Sequence, residues 1–298
     1  MSKVKIGSSP VLDILIKKLS QISIEDEVEI YSSPFRRSFG GPSWDFAGFR
    51  EYSPTDDSKR IDWKASIRSS KLLVKEYTEI QTLNILFLVD VGSSMLLGTI
   101  GKRKIDFASE VIVTLSYAIL KAKGKVRLLL FSDFLKRMIV SVNDIRQFYY
   151  ITTILSNEKF FGGKTNFKKS ASRVIPHLRK STVLIVVTDF LNLGEGWQQT
   201  LKSLGSHVHS LSIMIRDPLD KFLPKGIHKA FIEEPTGGRT IVFNASKYRK
   251  KYEEESKKQE EEVRAILHSV HAELLILDTS EPFLENLILF LQRRRMWL

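Results

Sequence analysis

The chain predicts a doubly wound α/β domain, a mostly parallel sheet flanked by helices, with a small β-rich appendage on its N-terminal side. Three observations carry this expectation. Short apolar runs recur from residue 83 onward and alternate with longer helix-patterned segments, the order expected of parallel strands joined by crossover helices. Two of these runs end in aspartate, Asp90 and Asp189, and open α/β sheets present their ligand loops at the carboxyl ends of strands. Residues 26–82 lack that long-period alternation and read instead as short strands around the glycine-bearing SFGGPSWDF.

Taken in order, residues 1–25 predict an N-terminal helical segment. Residues 26–82 form the appendage, with strands at VEIYSS, DFAGFREYSP and KLLVKEYTEIQTLN. The α/β domain then occupies residues 83–298. LNILFLVD is uninterrupted enough to be covered on both faces. Residues 105–122 predict a buried helix, RLLLFSD a second strand, and residues 143–155 a helix capped by Ser141 or Asn143. FFGGKTNF is a loop. In the helix that follows, Pro176 marks a kink or an early stop. STVLIVVTDF is a third strand, WQQTLKSLG a helix closed by Gly205, and HVHSLSIMIRD a fourth strand. GGRTIVFN predicts a short strand, SKYRKKYEEESKKQEEEVRAILHSV a charged helix with Glu–Lys pairs, and HAELLILDT a last strand before the terminal helix.

Composition narrows the function. The 298 residues are 43% hydrophobic and 27% charged, ordinary for a globular protein with a large core. Cysteine is absent, which excludes disulfides and thiolate metal sites and suits a reducing compartment. The apolar stretch of the N-terminus is too short and too interrupted by lysines to read as a signal peptide, and no segment has the roughly 18 apolar residues of a spanning helix, so a cytoplasmic location is expected. A formal charge of +12 favours acidic partners. Basic residues alternate with acidic ones and no zinc-finger or RNA-binding signature accompanies them, so nucleic acid is not expected. FLENLILFLQRRRMWL reads either as a packed helix with a cationic last turn or as an amphipathic helix in peripheral contact with membrane. No GxGxxG follows the first strand and no Walker lysine motif occurs, which argues against a nucleotide site.

Asp90, Ser94, Thr165 and Asp189 converge if their strands are neighbours. Carboxylate and hydroxyl oxygens with water suit Mg²⁺ or Mn²⁺. The same residue types also cap helices and make turns. Asp133 reads as part of a packed turn, and Asp106 as a helix starter. A metal-dependent hydrolase would draw Lewis-acid chemistry from Asp90, Asp189 and a bound water. No general base accompanies them, because His177, His207 and His209 lie in helix or strand contexts. RIDWKASIRSSK sets Lys59, Arg60, Lys64, Arg68 and Lys71 around Trp63. Either Trp63 and Ile67 pack one turn apart while the charges face water, or Arg60, Trp63, Lys64 and Arg68 form a docking surface.

DVGSSM, GGKTNF and TDF, in this order, resemble the metal-ion-dependent adhesion site of von Willebrand factor A domains, Asp-x-Ser-x-Ser followed by a loop Thr and an Asp. FREYSPTDDSKRIDWKASIRSSKLLVKEY, RDPLDKFLP, the TGG after it and FLQRRRMW look like the bacterial family called domain of unknown function 58. The resemblance runs from about residue 26 to the end. It implies a von Willebrand factor A-type fold and a non-enzymatic adaptor or assembly role beside a MoxR-type AAA+ ATPase or its client. It also implies Asp90, Ser94, Thr165 and Asp189 as ligands of Mg²⁺ or Mn²⁺. Gly92 replaces the first serine, which predicts a weakened site with water in the missing position. A structural scaffold with a vestigial site is the remaining alternative.

Overall fold

The computed structural model describes residues 44–54, 56–79, 84–99, 101–121, 124–139, 146–179, 181–223, 229–233 and 240–295. The expected helical segment at 1–25, the VEIYSS strand and the cap at Ser141 or Asn143 lie outside these residues. The appendage contains β1 (Trp44–Glu51), α1 (Trp63–Ser69) and β2 (Leu73–Glu79). Next come β3 (Asn84–Asp90), α2 (Lys104–Lys121), β4 (Lys125–Phe131), β5 (Leu135–Ile139) and α3 (Arg146–Leu155). They are followed by α4 (Phe167–Val174), β6 (Val183–Thr188), α5 (Trp197–His207), β7 (His209–Arg216) and α6 (Pro218–Lys221). The last elements are β8 (Lys229–Glu233), β9 (Thr240–Asn244), α7 (Ala245–His268), β10 (Glu273–Asp278) and α8 (Phe283–Arg295).

The main sheet runs β10–β7–β6–β3–β4–β5, with every neighbour parallel except the antiparallel β4–β5 pair at one edge. This is a von Willebrand factor A-like mixed sheet. β3 lies between β4 and β6, paired Ile85 to Val183 through Val89 to Val187. The chain builds outward from β3 in one direction and then in the other, and such a switch point leaves a crevice at the strands' carboxyl ends. Because β3 is covered on both faces, its residues divide between two cores. Ile85, Phe87 and Val89 join one with α2, whereas Leu86 and Leu88 join the other with α4 and α5. That two-sided burial explains why the strand shows no polar alternation.

Several local expectations change. α5 passes through Gly205 to His207 rather than closing there. A Cβ at residue 205 would lie 2.8 Å from Val270 Cγ2, so this glycine allows a close approach to the segment before β10. Pro176 does mark an early stop, within a single 3₁₀ turn at Ile175–His177. β5 is an additional strand, whose LKRMI pattern alternates too weakly to stand out, and β8 supplies an antiparallel partner for β9. α8 packs through Phe283, Leu287 and Phe290, with Phe283 edge-on to Phe107 at 5.7 Å. The packed-helix reading of the terminus therefore describes these positions. Among the described residues no helix is long and apolar enough to cross a membrane.

In the appendage, β1 and β2 form an antiparallel pair with an irregularity between Phe46 and Gly48. Asp62 caps α1 by accepting from Ala65 N–H. The buried Ser66 hydroxyl donates to Asp62 O at 2.8 Å and accepts from Leu73 N–H at 2.8 Å. It thereby pins the helix to β2. Ser66→Ala is expected to cost about 1–2 kcal/mol and to remove hydrogen-exchange protection at the Leu73 amide. Unchanged protection would refute the pin.

Candidate metal centre

Three loops meet at the carboxyl ends of β3, β4 and β6. β3 delivers Asp90, fully buried, and the chain then turns through Gly92 into a short 3₁₀ helix, Ser93–Leu96. Gly162 N–H donates to Val91 O at 2.7 Å. Ser93 N–H donates to Gly163 O at 2.9 Å, and Gly163 N–H returns a bond to Ser93 Oγ at 3.0 Å. Gly162 and Gly163 have φ of +90° and +93°, a conformation that favours glycine. This double turn carries Thr165 back over β3. Asn166 then caps α4 by accepting from Lys169 N–H.

The four residues named from the sequence meet in two pairs, Thr165 with Asp90 and Ser94 with Asp189, and the two carboxylates are near enough to interact through their charges. Asp90 Oδ1 accepts from Gly92 N–H at 2.8 Å and from the Thr165 hydroxyl at 3.3 Å, while Oδ2 accepts from Thr188 Oγ1 at 2.8 Å. Asp189 Oδ1 accepts from Leu191 N–H at 2.8 Å and from the Ser94 hydroxyl at 3.3 Å. The two 3.3 Å contacts are long for hydroxyl–carboxylate bonds. Oxygens arranged octahedrally about 2.1 Å from Mg²⁺ lie about 3 Å from one another, so the oxygen donors and the spacing within each pair are compatible with a hard cation. Among the described residues no group of three or more His, Cys, Asp or Glu side chains is gathered to hold a metal ion. Hydroxyls and water would have to complete the shell.

Burial, and then the neighbouring Asp189 charge, push the Asp90 carboxyl up to about 7, against the opposing hydrogen bonds from Gly92, Thr188 and Thr165. Gly92 has a steric role that its letter alone does not reveal. A Cβ there would stand 2.0 Å from Thr165 Oγ1 and 3.0 Å from Asp90 Oδ1. The expected water-filled gap is thus crowded by the Thr165 hydroxyl, which the missing side chain lets in.

Sequence reasoning missed Lys104, Thr188, Asp217 and Asp220. Lys104, the first residue of α2, is wholly buried, with Nζ 2.7 Å from Asp189 Oδ2 and 2.9 Å from Asp220 Oδ2. Burial alone would lower its pKa, but Asp189 and Asp220 outweigh this and hold it above the usual lysine range. Lys104 lies one turn before Ala108 and in phase with Val111 and Leu115, all buried. That helical phase was the available signal, masked by the exposed-looking GKRK. Asp217 and Asp220 form a capping box at α6, and α7 covers it with Tyr252 and Ser256 donating to Leu219 O and Asp220 O. Arg216 is also buried, paired with Gln259.

The four basic-segment residues lie on or beside α1. Arg60 ends a 3₁₀ turn, Ser58–Arg60. Trp63 and Ile67 are 63% and 81% exposed, so neither is buried in a core. At 100° per residue, the Asp62–Ser66–Ser69 face turns toward β2, while Trp63 with Ile67 and Lys64 with Arg68 make adjacent outer stripes.

The strand order, with helices on both faces of the sheet, is that of a von Willebrand factor A-like fold. Residues 48–262 match the family described as protein of unknown function DUF58, and the chain belongs to it. The uncharacterized protein Rv1480 of Mycobacterium tuberculosis is 22% identical over 260 residues, covering 86% of this chain and 81% of its own. The uncharacterized protein Mb1516 of Mycobacterium bovis matches to the same extent. Among solved structures, the conserved hypothetical protein BatB from Bacteroides thetaiotaomicron is similar at 13% identity and a TM-score of 0.47, covering 72% of this chain and 99% of its own. An aerotolerance-related membrane protein from Bacteroides fragilis is similar at 14% identity and 0.47, covering 72% and 100%.

Proposed function

We propose that the protein is a non-enzymatic interaction module whose cation centre, Asp90, Ser94, Thr165 and Asp189 with Mg²⁺ or Mn²⁺, engages a protein partner. The observation that carries this reading is the convergence of these oxygens from three loops at the sheet's switch point. A bound ion would supply a coordination position for an acidic side chain, and the protein residues would orient it. The partner implied by the family resemblance is a MoxR-type AAA+ ATPase or its client, which goes with a cytoplasmic place of action. The exposed Trp63 and Ile67 beside Lys64 and Arg68 support a second contact face, to which Arg60 is assigned by its position in the chain. Basic and apolar side chains together suit an acidic protein surface with an apolar pocket.

A pull-down against a purified MoxR-type ATPase tests both faces. EDTA or Asp90→Ala is expected to weaken capture at least about tenfold, as loss of a desolvated charge contact does. Lys64→Glu with Arg68→Glu is expected to weaken it independently. Capture insensitive to EDTA and to Asp90→Ala, yet abolished by the charge reversals, would favour a scaffold that binds through α1 alone.

Restoring a serine at residue 92 is expected to harm the centre. Gly92→Ser must turn the Thr165 hydroxyl away from Asp90, at a cost of about 1–3 kcal/mol in urea unfolding, with no gain in Mn²⁺ affinity by calorimetry. Wild-type stability together with tighter Mn²⁺ binding would contradict this steric account.

A further inference from the structure

The Lys104 ammonium has three protons and makes contacts with three carboxylate oxygens, Asp189 Oδ2 at 2.7 Å and Asp220 Oδ2 and Oδ1 at 2.9 and 3.2 Å. It sits at the first position of α2, where the helix dipole disfavours a cation. Helix formation therefore does not explain its placement, and a buried ammonium without anionic partners would be strongly unfavourable. The two carboxylates explain it. Asp189 belongs to the candidate centre; Asp220 belongs to α6, where its Oδ2 also accepts from Asp217 N–H at 3.0 Å. Asp90, by contrast, accepts from the neutral donors Gly92, Thr165 and Thr188.

We propose that Lys104 is a resident cation of this centre, a positioning residue that ties the loop after β6 to α6 whether or not a metal ion is bound. Its charge offsets Asp189 and Asp220 in advance, so that Asp90, which has no ion pair among the described residues, is the acidic side chain of the centre left for an incoming divalent ion. Lys104 thereby keeps the loops in place without metal and weakens the affinity for metal. The second consequence rests on the cation reading above; the tie itself does not.

The test uses Mn²⁺ alone as probe, on the full chain, with Lys104→Met and with Lys104→Met/Asp220→Asn. In EDTA, Lys104→Met is expected to melt about 10 °C below wild type, the scale of a broken buried pair in a chain of this size. The double variant is expected to recover much of that loss, because it leaves one fewer unpaired carboxylate. Mn²⁺ is expected to bind Lys104→Met at least about tenfold tighter than wild type, since a nearby cation no longer repels it. Equal melting of Lys104→Met and wild type in EDTA would overturn the tie. If wild type binds Mn²⁺ in an Asp90-dependent way and Lys104→Met binds it no tighter, the affinity role is overturned while the cation centre stands. If neither binds Mn²⁺ but the melting pattern holds, the cation reading fails and the tie stands. Should Lys104→Met not fold, nitrogen-15 NMR of the wild type decides the tie. A slowly exchanging lysine ammonium signal, absent from Lys104→Arg, is expected, and its absence from wild type overturns the proposal.

Discussion

In the absence of divalent cations, raising the pH from about 5 to about 9 is expected to destabilise the protein by a few kcal/mol through Asp90. The sign follows from its environment. An ordinary aspartate releases its proton near 3.8, whereas burial and the Asp189 charge push Asp90 up to about 7. Between those values the folded state keeps a proton that the unfolded chain has lost. Stability contributed by Asp90 is thus fully present below about 4 and falls as pH rises through about 7, by a total of about 4 kcal/mol. Mg²⁺ held at the centre would favour the ionised carboxylate, so its affinity should rise about tenfold per pH unit below 7 and level off above. Asp90→Asn removes the ionisation, and should therefore flatten the EDTA profile and abolish the stabilisation by Mg²⁺. Urea unfolding at several pH values, with EDTA or with Mg²⁺, measures each part. Parallel wild-type and Asp90→Asn profiles would show that Asp90 does not titrate in this range.

Asp217→Ala is expected to cost about 3–5 kcal/mol. The buried carboxylate accepts from Thr99 N–H at 2.9 Å, Thr99 Oγ1 at 2.6 Å, Leu219 N–H at 2.9 Å and Thr279 Oγ1 at 3.3 Å. Hydrogen bonds to a charged group are each worth about 1.5–3 kcal/mol, and removing the acceptor leaves its donors unsatisfied. The contributions of one cluster do not add fully. Burial alone would raise the Asp217 pKa, but these hydrogen bonds outweigh it and hold the carboxyl below its usual range. Its stabilisation is therefore present above the ordinary aspartate value and lost as pH falls, opposite in sign to Asp90. The variant should show a shallower acid limb in urea unfolding and lose protection at the Thr99 and Leu219 amides. A loss below about 1 kcal/mol would mean that the loop around Thr99 is held by other contacts.

What the letters disclosed depended on whether position or partnership carried the information. Asp90 and Asp189 were legible because each ends an apolar run, and strand ends are positional. Their meeting required β3 and β6 to be neighbours, which is a property of the sheet order. Lys104 was hidden beside Lys102 and Arg103, since a charged residue at a helix start ordinarily faces water; only its phase with Ala108 and Val111 distinguishes it. Gly92 showed that an oxygen was missing but not what stood nearby, because Thr165 arrives from a loop more than 70 residues away. The spacing of Trp63 and Ile67 placed them on one face of a helix but was silent on whether anything covered that face. RDPLD resembled a family feature before its carboxylates had a physical role, which came only with Thr99, Lys104 and Thr279 packed against them.

β5 bears on how this molecule behaves among other unfolded or partly folded chains. It is the outermost strand beside β4, running against its neighbour and carrying Lys136 and Arg137 in the middle of five residues. A short border strand with adjacent positive charges is a poor template for the backbone of a passing chain. Unwanted growth of the sheet at that border, the first step toward aggregation, is disfavoured by charge and brevity together.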